Sequence, residues 1–491
     1  MMECGSNGLC SGRPICYKWH VSITTPHRLE ALLGSWRRDG TGRERLAAAL
    51  RSLILEGRVA VDSRLPAERT LATALGVSRA TVTGAYDQLR AQGYIDSRQG
   101  AGSWVTLPGG NRSAPSDAVV GGSGLEMRIA ALPAPAMLEE LFAAASRELP
   151  CWLDHHGYDP LGLPELRRAI AARFERRGLP TRPEQILVTN GALQALDLTI
   201  RATLPRGRRV LVELPSYPAA LDALRGAGAR LTPVMLTADG WDVGTIETVA
   251  RADRPTLAYL MPDFHNPIGA IMDTSARRRV MHALERAGTL TVIDETFVEL
   301  GLDDVAMPPP AASFAGGRTI TIGSLSKSVW GGLRVGWVRA DPALIHLLAT
   351  ARASIDLASP LFEQLIAARA LDRLDEILAE RRELIQLRRA ALGRALDERL
   401  PTWRYELPPG GLFIWTTLPA PISTSLSLAA ARHDLLLTPG PRFAAAGLLE
   451  RHLRLPFTLA PDQLGRAVEI LAALTPSEVT GQARERLEYV A

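Results

Sequence analysis

The sequence predicts an α/β protein with a small helical head at its N-terminus. Three observations carry that prediction. In the long region after residue 126, five short apolar runs at 185–188, 209–212, 256–260, 289–293 and 319–322 alternate with helical patterns before the chain turns helix-rich from about 343, the signature of a mostly parallel sheet covered by helices on both faces. Ahead of it, residues 41–106 read as three short helices and a hairpin. Between the two, residues 107–126 are rich in Gly, Ser, Pro and Asn and read as a flexible linker. The chain has 491 residues, enough for two or three domains. No run is long and apolar enough to span a membrane. The N-terminus has no apolar h-region, so no signal peptide is expected.

Residues 1–40 read as a partly disordered leader with a short helical piece over 27–36. Cys4, Cys10 and Cys16 fall in that leader at a spacing that fits no standard zinc pattern. With Cys151 they are the only 4 cysteines, which suits a reducing cytoplasm. From Arg43, the residues Leu46, Leu50, Leu53 and Ile54 recur at helical spacing. Pro66 and Glu68 open a second helix, whose apolar face is Leu71, Ala72 and Leu75. Gly76 makes a tight turn, and Ser78 caps a third helix that carries Val82, Ala85, Tyr86 and Leu89. Two short strands follow, over 94–97 and 103–106, joined by Gly100-Ala101-Gly102.

Helix, helix, Gly turn, capped helix and hairpin make the plan of a winged helix-turn-helix. In that plan the third helix enters the major groove of double-stranded DNA. Its first turn offers Ser78, Arg79 and Thr81 to phosphates and base edges. Arg98 sits at the hairpin tip, and Arg64 and Arg69 flank the start of the second helix as phosphate clamps. Residues 1–110 hold 14 basic against 9 acidic residues, while the whole chain carries +4, so the head holds the basic excess. The same helical pattern also suits a protein–protein module.

The blocks Arg64-Leu65-Pro66-Ala67-Glu68-Arg69, Leu75-Gly76-Val77-Ser78-Arg79-Ala80-Thr81-Val82, Ala85-Tyr86 and Gly93-Tyr94 resemble the DNA-binding domain of GntR-family bacterial regulators. The resemblance covers residues 43–106, with the blocks in order and at the expected spacing.

In the larger region the chemistry centres on Ser324-Leu325-Ser326-Lys327, with Arg334 seven positions on. Lys18 and Lys327 are the only lysines in the chain. Arg replaces Lys at ordinary surface sites, but a guanidinium stays protonated and cannot attack an aldehyde. A lone internal lysine among small hydroxyl residues therefore suggests a Schiff-base lysine beside a phosphate site.

Other polar residues follow apolar strands, where ligands of parallel sheets gather. Thr189-Asn190-Gly191-Ala192 precedes a helix and reads as a phosphate cup or a plain strand–helix turn. Asp294 ends a buried strand and needs a cationic partner, unless it caps a helix or binds a metal. Asn266 is placed to donate to a ring oxygen, and Tyr217 to stack on a flat ring. Arg454, in Leu453-Arg454-Leu455, is either a carboxylate reader or a salt-bridged structural Arg.

Together, and in this order, these residues resemble fold-type I pyridoxal-phosphate proteins of the aminotransferase class I/II group. The resemblance spans residues 127–475, leaves 476–491 as a C-terminal tail, and includes a small α+β C-terminal subdomain. It implies that Lys327 forms the Schiff base with pyridoxal 5'-phosphate. It further implies that Asp294 pairs with the pyridinium nitrogen, Asn266 with the ring oxygen, and Tyr217 with the ring face. Gly191, Ala192, Ser324 and Arg334 then hold the phosphate, Ser326 is a further cofactor-binding residue, and Arg454 takes an amino-acid carboxylate. Tyr158 and Gly162 resemble the segment that opens such domains. One position departs: Phe297 stands where many aminotransferases carry a Tyr that donates to the ring oxygen.

A GntR-like head on an aminotransferase-like domain is similar to MocR-type transcriptional regulators. That resemblance implies a cytoplasmic homodimer, an operator with two half-sites, and sensing of an amino acid, an amine or the cofactor itself. The alternative is a working aminotransferase with an appended DNA-binding head.

Overall fold

The computed structural model describes residues 25–33, 42–55, 59, 63–98, 102–106, 124–237, 240–444 and 448–477. In the head, helices Pro26–Leu33, Gly42–Leu55, Glu68–Leu75 and Arg79–Ala91 pack around one core, in which Leu29, Leu46, Leu50, Leu71, Val82, Tyr86 and Leu89 are fully buried. The first helix falls inside the expected leader, yet its Leu29 and Leu33 belong to this core. The rest of that leader, with Cys4, Cys10 and Cys16, lies outside the described residues.

Gly76 adopts φ 59°, the left-handed conformation that a bare backbone reaches cheaply, and ends the second helix. Ser78 then caps the third, its Oγ accepting from Thr81 N at 3.1 Å. Tyr86 is buried in the third helix and donates to Pro66 O at 3.0 Å, which pins that helix to the start of the second. Strands Ile95–Arg98 and Gly102–Val105 pair antiparallel to form the wing. Ser63–Leu65 lines its other edge: Val105 N donates to Ser63 O and Leu65 N to Ser103 O, each at 2.9 Å.

The large domain is built on an eight-stranded sheet. Its order is Ile186–Thr189, Gly336–Ala340, Thr319–Ser324, Leu290–Asp294, Leu257–Leu260, Arg209–Leu214, Arg230–Thr237, Gly240–Trp241. The run from Thr319–Ser324 to Arg230–Thr237 is parallel. Gly336–Ala340 lies antiparallel to both of its neighbours. Alternate side chains serve two cores: Leu211, Ala258, Leu260 and Ile293 enter one, and Val210, Val212, Tyr259 and Val292 the other. Both faces are therefore covered by helices, which is why these strands read as unbroken apolar runs.

A third core joins the long helix Leu374–Arg399, the final helix Pro461–Ser477 and the small sheet of Phe413–Thr417, His452–Pro456 and Thr438–Pro439. The last two residues of the expected linker belong to this large domain, because Leu125–Glu126 pairs with Leu435–Leu436. Residues 107–123 and 478–491 lie outside the described residues.

Candidate functional site

The parallel strands deliver their carboxyl ends to one edge of the sheet. Asp294 is the last residue of Leu290–Asp294. Its side chain is 8% exposed. Oδ2 accepts from Tyr259 Oη at 2.6 Å, and Oδ1 accepts from Thr296 N at 2.9 Å and Thr296 Oγ1 at 2.5 Å. All three donors are neutral. Burial pushes the carboxyl above its usual range, against the pull of these hydrogen bonds. No cation pairs with it among the described residues, so its surroundings fit a protonated ring nitrogen.

Lys327 lies in the turn after Thr319–Ser324. Its Nζ donates to Ala130 O at 2.6 Å and sits 5.7 Å from the centre of the Phe297 ring. Burial first, and then the charge of Arg454, lower its pKa to about 8, opposed by Asp294. Phe297, at the departing position, packs edge-on against Phe413 and lines the lysine with carbon where many aminotransferases carry a phenol.

Arg454 is 4% exposed in the strand His452–Pro456. Nη1 donates to Asn266 Oδ1 at 3.3 Å and Nη2 to Arg128 O, while Nε is buried with no acceptor. The rings of Phe443 and Phe413 lie 5.0 Å and 5.6 Å from its Cζ. Burial lowers its pKa to about 10. No carboxylate pairs with it among the described residues, so the salt-bridged structural role is not what the site shows. With Oδ1 of Asn266 accepting from Arg454, the amide Nδ2 is left to donate elsewhere. Tyr217 caps the helix Pro218–Gly226; burial first, then Asp294, raise its pKa.

Gly191 and Ala192 open the helix Ala192–Thr203, whose first-turn N–H groups have no partner within the helix. Gly191 has φ 90°, and a Cβ there would come within 2.6 Å of Arg334 Nη2. A Cβ on Gly336 would meet the Gly191–Ala192 backbone at 2.6–2.8 Å. The cradle thus depends on bare backbone at both positions. Arg334 is exposed; it donates from Nη2 to Asn190 O at 3.1 Å and from Nη1 to Gly331 O at 3.4 Å. Ser324 departs from the expectation: its hydroxyl donates to Val335 O at 2.9 Å and accepts from Ser326 N at 3.1 Å, so it braces the lysine turn. Ser326 is half-buried, and no hydrogen bond engages its hydroxyl among the described residues.

Four residues of the site were missed by sequence reasoning. Tyr259 reads as one more residue of the apolar run 256–260, although a Tyr near a strand's carboxyl end is the available signal. Thr296 follows Asp294 by two and braces its Oδ1. The carbonyls of Arg128 and Ala130 carry no sequence signal at all.

In the head, Arg79 is exposed at the start of the third helix, with Nε 3.6 Å from Glu68 Oε2. Glu68 also accepts from Thr83 Oγ1 at 2.8 Å. The hydroxyls of Ser78 and Thr81 bond each other at 2.8 Å and serve the cap. Arg69 is exposed on the second helix, and Arg64 is exposed beside the wing, bridging Trp104. Arg98 ends the first wing strand opposite Gly102; its side chain lies outside the described residues.

Residues 144–471 match the family model for aminotransferase class I and II, and residues 43–105 match that for bacterial regulatory proteins of the gntR family. The chain belongs to the aminotransferase class I and II family, whose fold is that of pyridoxal-phosphate-dependent proteins. Ahead of that domain it carries a GntR-type helix-turn-helix head, the combination that MocR-type regulators share. It is 33% identical over 368 residues to a 2-aminoadipate transaminase of Thermus thermophilus, covering 70% of this chain and 90% of that one. It is 32% identical over 326 residues to a probable rhizopine catabolism regulatory protein, MocR, of Rhizobium meliloti, covering 60% and 64%. The solved structure of LysN, an α-aminoadipate aminotransferase from Thermus thermophilus complexed with N-(5'-phosphopyridoxyl)-L-leucine, superposes with a TM-score of 0.65 at 32% identity, covering 71% of this chain and 91% of that one.

Proposed function

We propose that this protein is a DNA-binding transcription regulator that holds pyridoxal 5'-phosphate at Lys327 and responds to an amino compound whose carboxylate is read by Arg454. The observation that carries the reading is a trio of charges, Asp294 and Arg454 buried and Lys327 half-buried, whose hydrogen bonds all go to neutral groups of the chain among the described residues. Burying a charge is costly unless it is paired. Three such charges, two at or past strand ends of the large sheet and one from the small sheet, are explained by ligand groups that complement them.

When bound, pyridoxal phosphate supplies an aldehyde that condenses with primary amines and a ring that withdraws electrons. The chain's own groups have separate tasks. Lys327, with its pKa near 8, keeps part of its amine neutral and nucleophilic at cytoplasmic pH. Asp294 holds a proton on the ring nitrogen. Asn266 is oriented by Arg454 and turns its amide NH2 to the ring oxygen. Tyr217 covers the ring face. The Gly191–Ala192 helix start, Ser326 and Arg334 take the phosphate.

The head reads double-stranded DNA through Arg79 and Thr81 in the major groove, with Arg64, Arg69 and Arg98 on phosphates. Leu193 and Leu357 are 41% and 49% exposed, which suits cover by a second copy. A homodimer places two heads on two half-sites. The effector's differential affinity for two domain arrangements sets how far occupancy shifts DNA binding.

The test is binding of the full chain to its own upstream DNA, with and without pyridoxal phosphate and an amino-acid panel. Affinity that falls steeply with salt and changes with one amino acid supports the reading. Binding no tighter than to random DNA overturns it. The likeness to a transaminase, with Lys327, Asp294 and Arg454 all in place, favours a second reading as a working aminotransferase. Amino-group transfer to a keto acid at ordinary enzyme rates would establish that one.

A further inference from the structure

The phosphate cradle is fixed from outside the residues that line it. Asn190, just before Gly191, is restrained at three atoms. Its N–H donates to Gln194 Oε1 at 3.1 Å, its Nδ2 donates to Asp356 Oδ2 at 2.8 Å, and its carbonyl accepts from Arg334 at 3.1 Å. Gln194 Nε2 also reaches Asp356 Oδ2, at 3.4 Å. One carboxylate oxygen therefore gathers both side chains that shape the turn.

Asp356 is itself held. Arg352 donates to it from Nε at 2.8 Å and from Nη2 at 3.2 Å. Arg352 is fully buried, and its remaining bonds go to Val188 O at 2.6 Å, Pro160 O at 3.0 Å and Ser359 Oγ at 2.8 Å. Val188 lies in the strand that delivers the cradle, and Pro160 in the Gly157–Gly162 segment beside it. A rigid guanidinium fork thus ties the strand end, that segment and the Asp356 loop into one frame.

The arrangement has an electrostatic consequence. A free carboxylate near a phosphate cradle would repel the anion. Arg352 neutralises Asp356 and leaves it as a hydrogen-bond anchor. Phosphate recognition by backbone N–H groups depends on donors held at the right angle, so an anchor on Asn190 acts on affinity without touching the ligand.

We infer that Asp356, held by Arg352 and acting through Asn190 and Gln194, is a positioning residue for phosphate recognition at Gly191–Ala192 and Arg334. The inference rests on the cofactor reading above. Its role is confined to the phosphate, because its bonds reach the cradle and none of Lys327, Asp294 or Asn266.

The experiment is a titration of the full-length protein with pyridoxal 5'-phosphate and with phosphate-free pyridoxal, followed by absorbance. Wild type, Asn190→Ala, Gln194→Ala and Asp356→Ala are compared, with melting temperatures alongside. Asn190→Ala and Gln194→Ala change no charge and keep the test valid if Asp356→Ala does not fold. Loss of one anchoring hydrogen bond corresponds to a weakening on the order of tenfold. Pyridoxal phosphate affinity is expected to fall by about that factor in the variants while pyridoxal affinity stays put. Equal loss for both ligands marks a general structural role and overturns the inference, as does an unchanged ratio. A wild-type protein that binds neither compound, or does not prefer the phosphorylated one, overturns the cofactor reading instead.

Discussion

Asp294 and Glu295 are neighbours in sequence, both buried, and treated by the fold in opposite ways. Glu295 faces the helix Pro164–Arg176 and accepts from Arg177 Nη1 at 2.6 Å. Around it, Arg173 forks onto Glu299 at 2.7 and 2.8 Å, and buried Arg277 meets Asp263 at 2.6 Å. Asp294, one residue earlier, meets Tyr259 and Thr296 and no cation among the described residues. Lys327 and Arg454 likewise hydrogen-bond only neutral groups among the described residues, although the charge of Asp294 reaches Lys327. The difference separates charges that serve the fold from charges that serve a ligand. An ion pair within the chain completes itself on folding, whereas an unpaired buried charge costs stability until something binds.

The contrast can be broken most completely at Lys327. Lys327→Ala is expected to abolish covalent retention of pyridoxal phosphate, seen as loss of the yellow band after desalting, while DNA affinity in the absence of effector stays near wild type. Simultaneous loss of DNA binding would show that the two modules do not act separately. In the wild type, the rate of cofactor capture should rise as pH is raised through about 8, because the neutral amine is the nucleophile.

On the paired side, Arg177→Ala strands Glu295 without its cation. A loss of about 3 kcal/mol in denaturant-unfolding stability follows from breaking a buried pair. A loss under about 1 kcal/mol would place the pair among those that solvent already screens. Asp294→Asn should move stability the other way, raising that of the cofactor-free protein by about 1 kcal/mol through removal of a buried unpaired charge. Pyridoxal phosphate affinity should drop in the same variant. Arg454→Met sharpens the contrast further, because a flexible apolar side chain can occupy the space between Phe413 and Phe443. Its thermal stability should match wild type or exceed it slightly, and the response to amino acids should vanish while that to simple amines persists.

Much of the fold and site was legible because the informative residues sit where one local rule decides. The five strands read as apolar runs are in the sheet, and the residues just past them converge. Three strands escaped notice: Gly240–Trp241 because it has only two residues, and the other two for local reasons. Arg230–Thr237 contains Pro233, which demotes a strand pattern, and it lies near an edge where a missing N–H is tolerated. Gly336–Ala340 is short, and its partly exposed Trp337 and Arg339 break the apolar run. The helix Pro26–Leu33 was assigned to the leader because its two core leucines signal nothing until the other helices are placed. Asp356 and Arg352 were invisible for a related reason: their bonds span 162 to 192 positions of sequence, and an Arg–Asp pair at i, i+4 reads as an ordinary surface pair. Ser324 shows the limit of residue type alone, since a serine beside the lysine suits either a phosphate or a turn, and its hydroxyl serves the turn.

The most direct measurement is the visible absorption spectrum of the purified protein with pyridoxal phosphate, before and after each member of a panel of amino acids and amines. The expected result is a yellow band that depends on Lys327, shifts with one carboxylate-bearing amine, and ceases to shift with it in Arg454→Met. Absence of any band at excess cofactor would overturn this reading: Asp294, Lys327 and Arg454 would then be charges without a ligand, and the large domain would be left as a scaffold for the head.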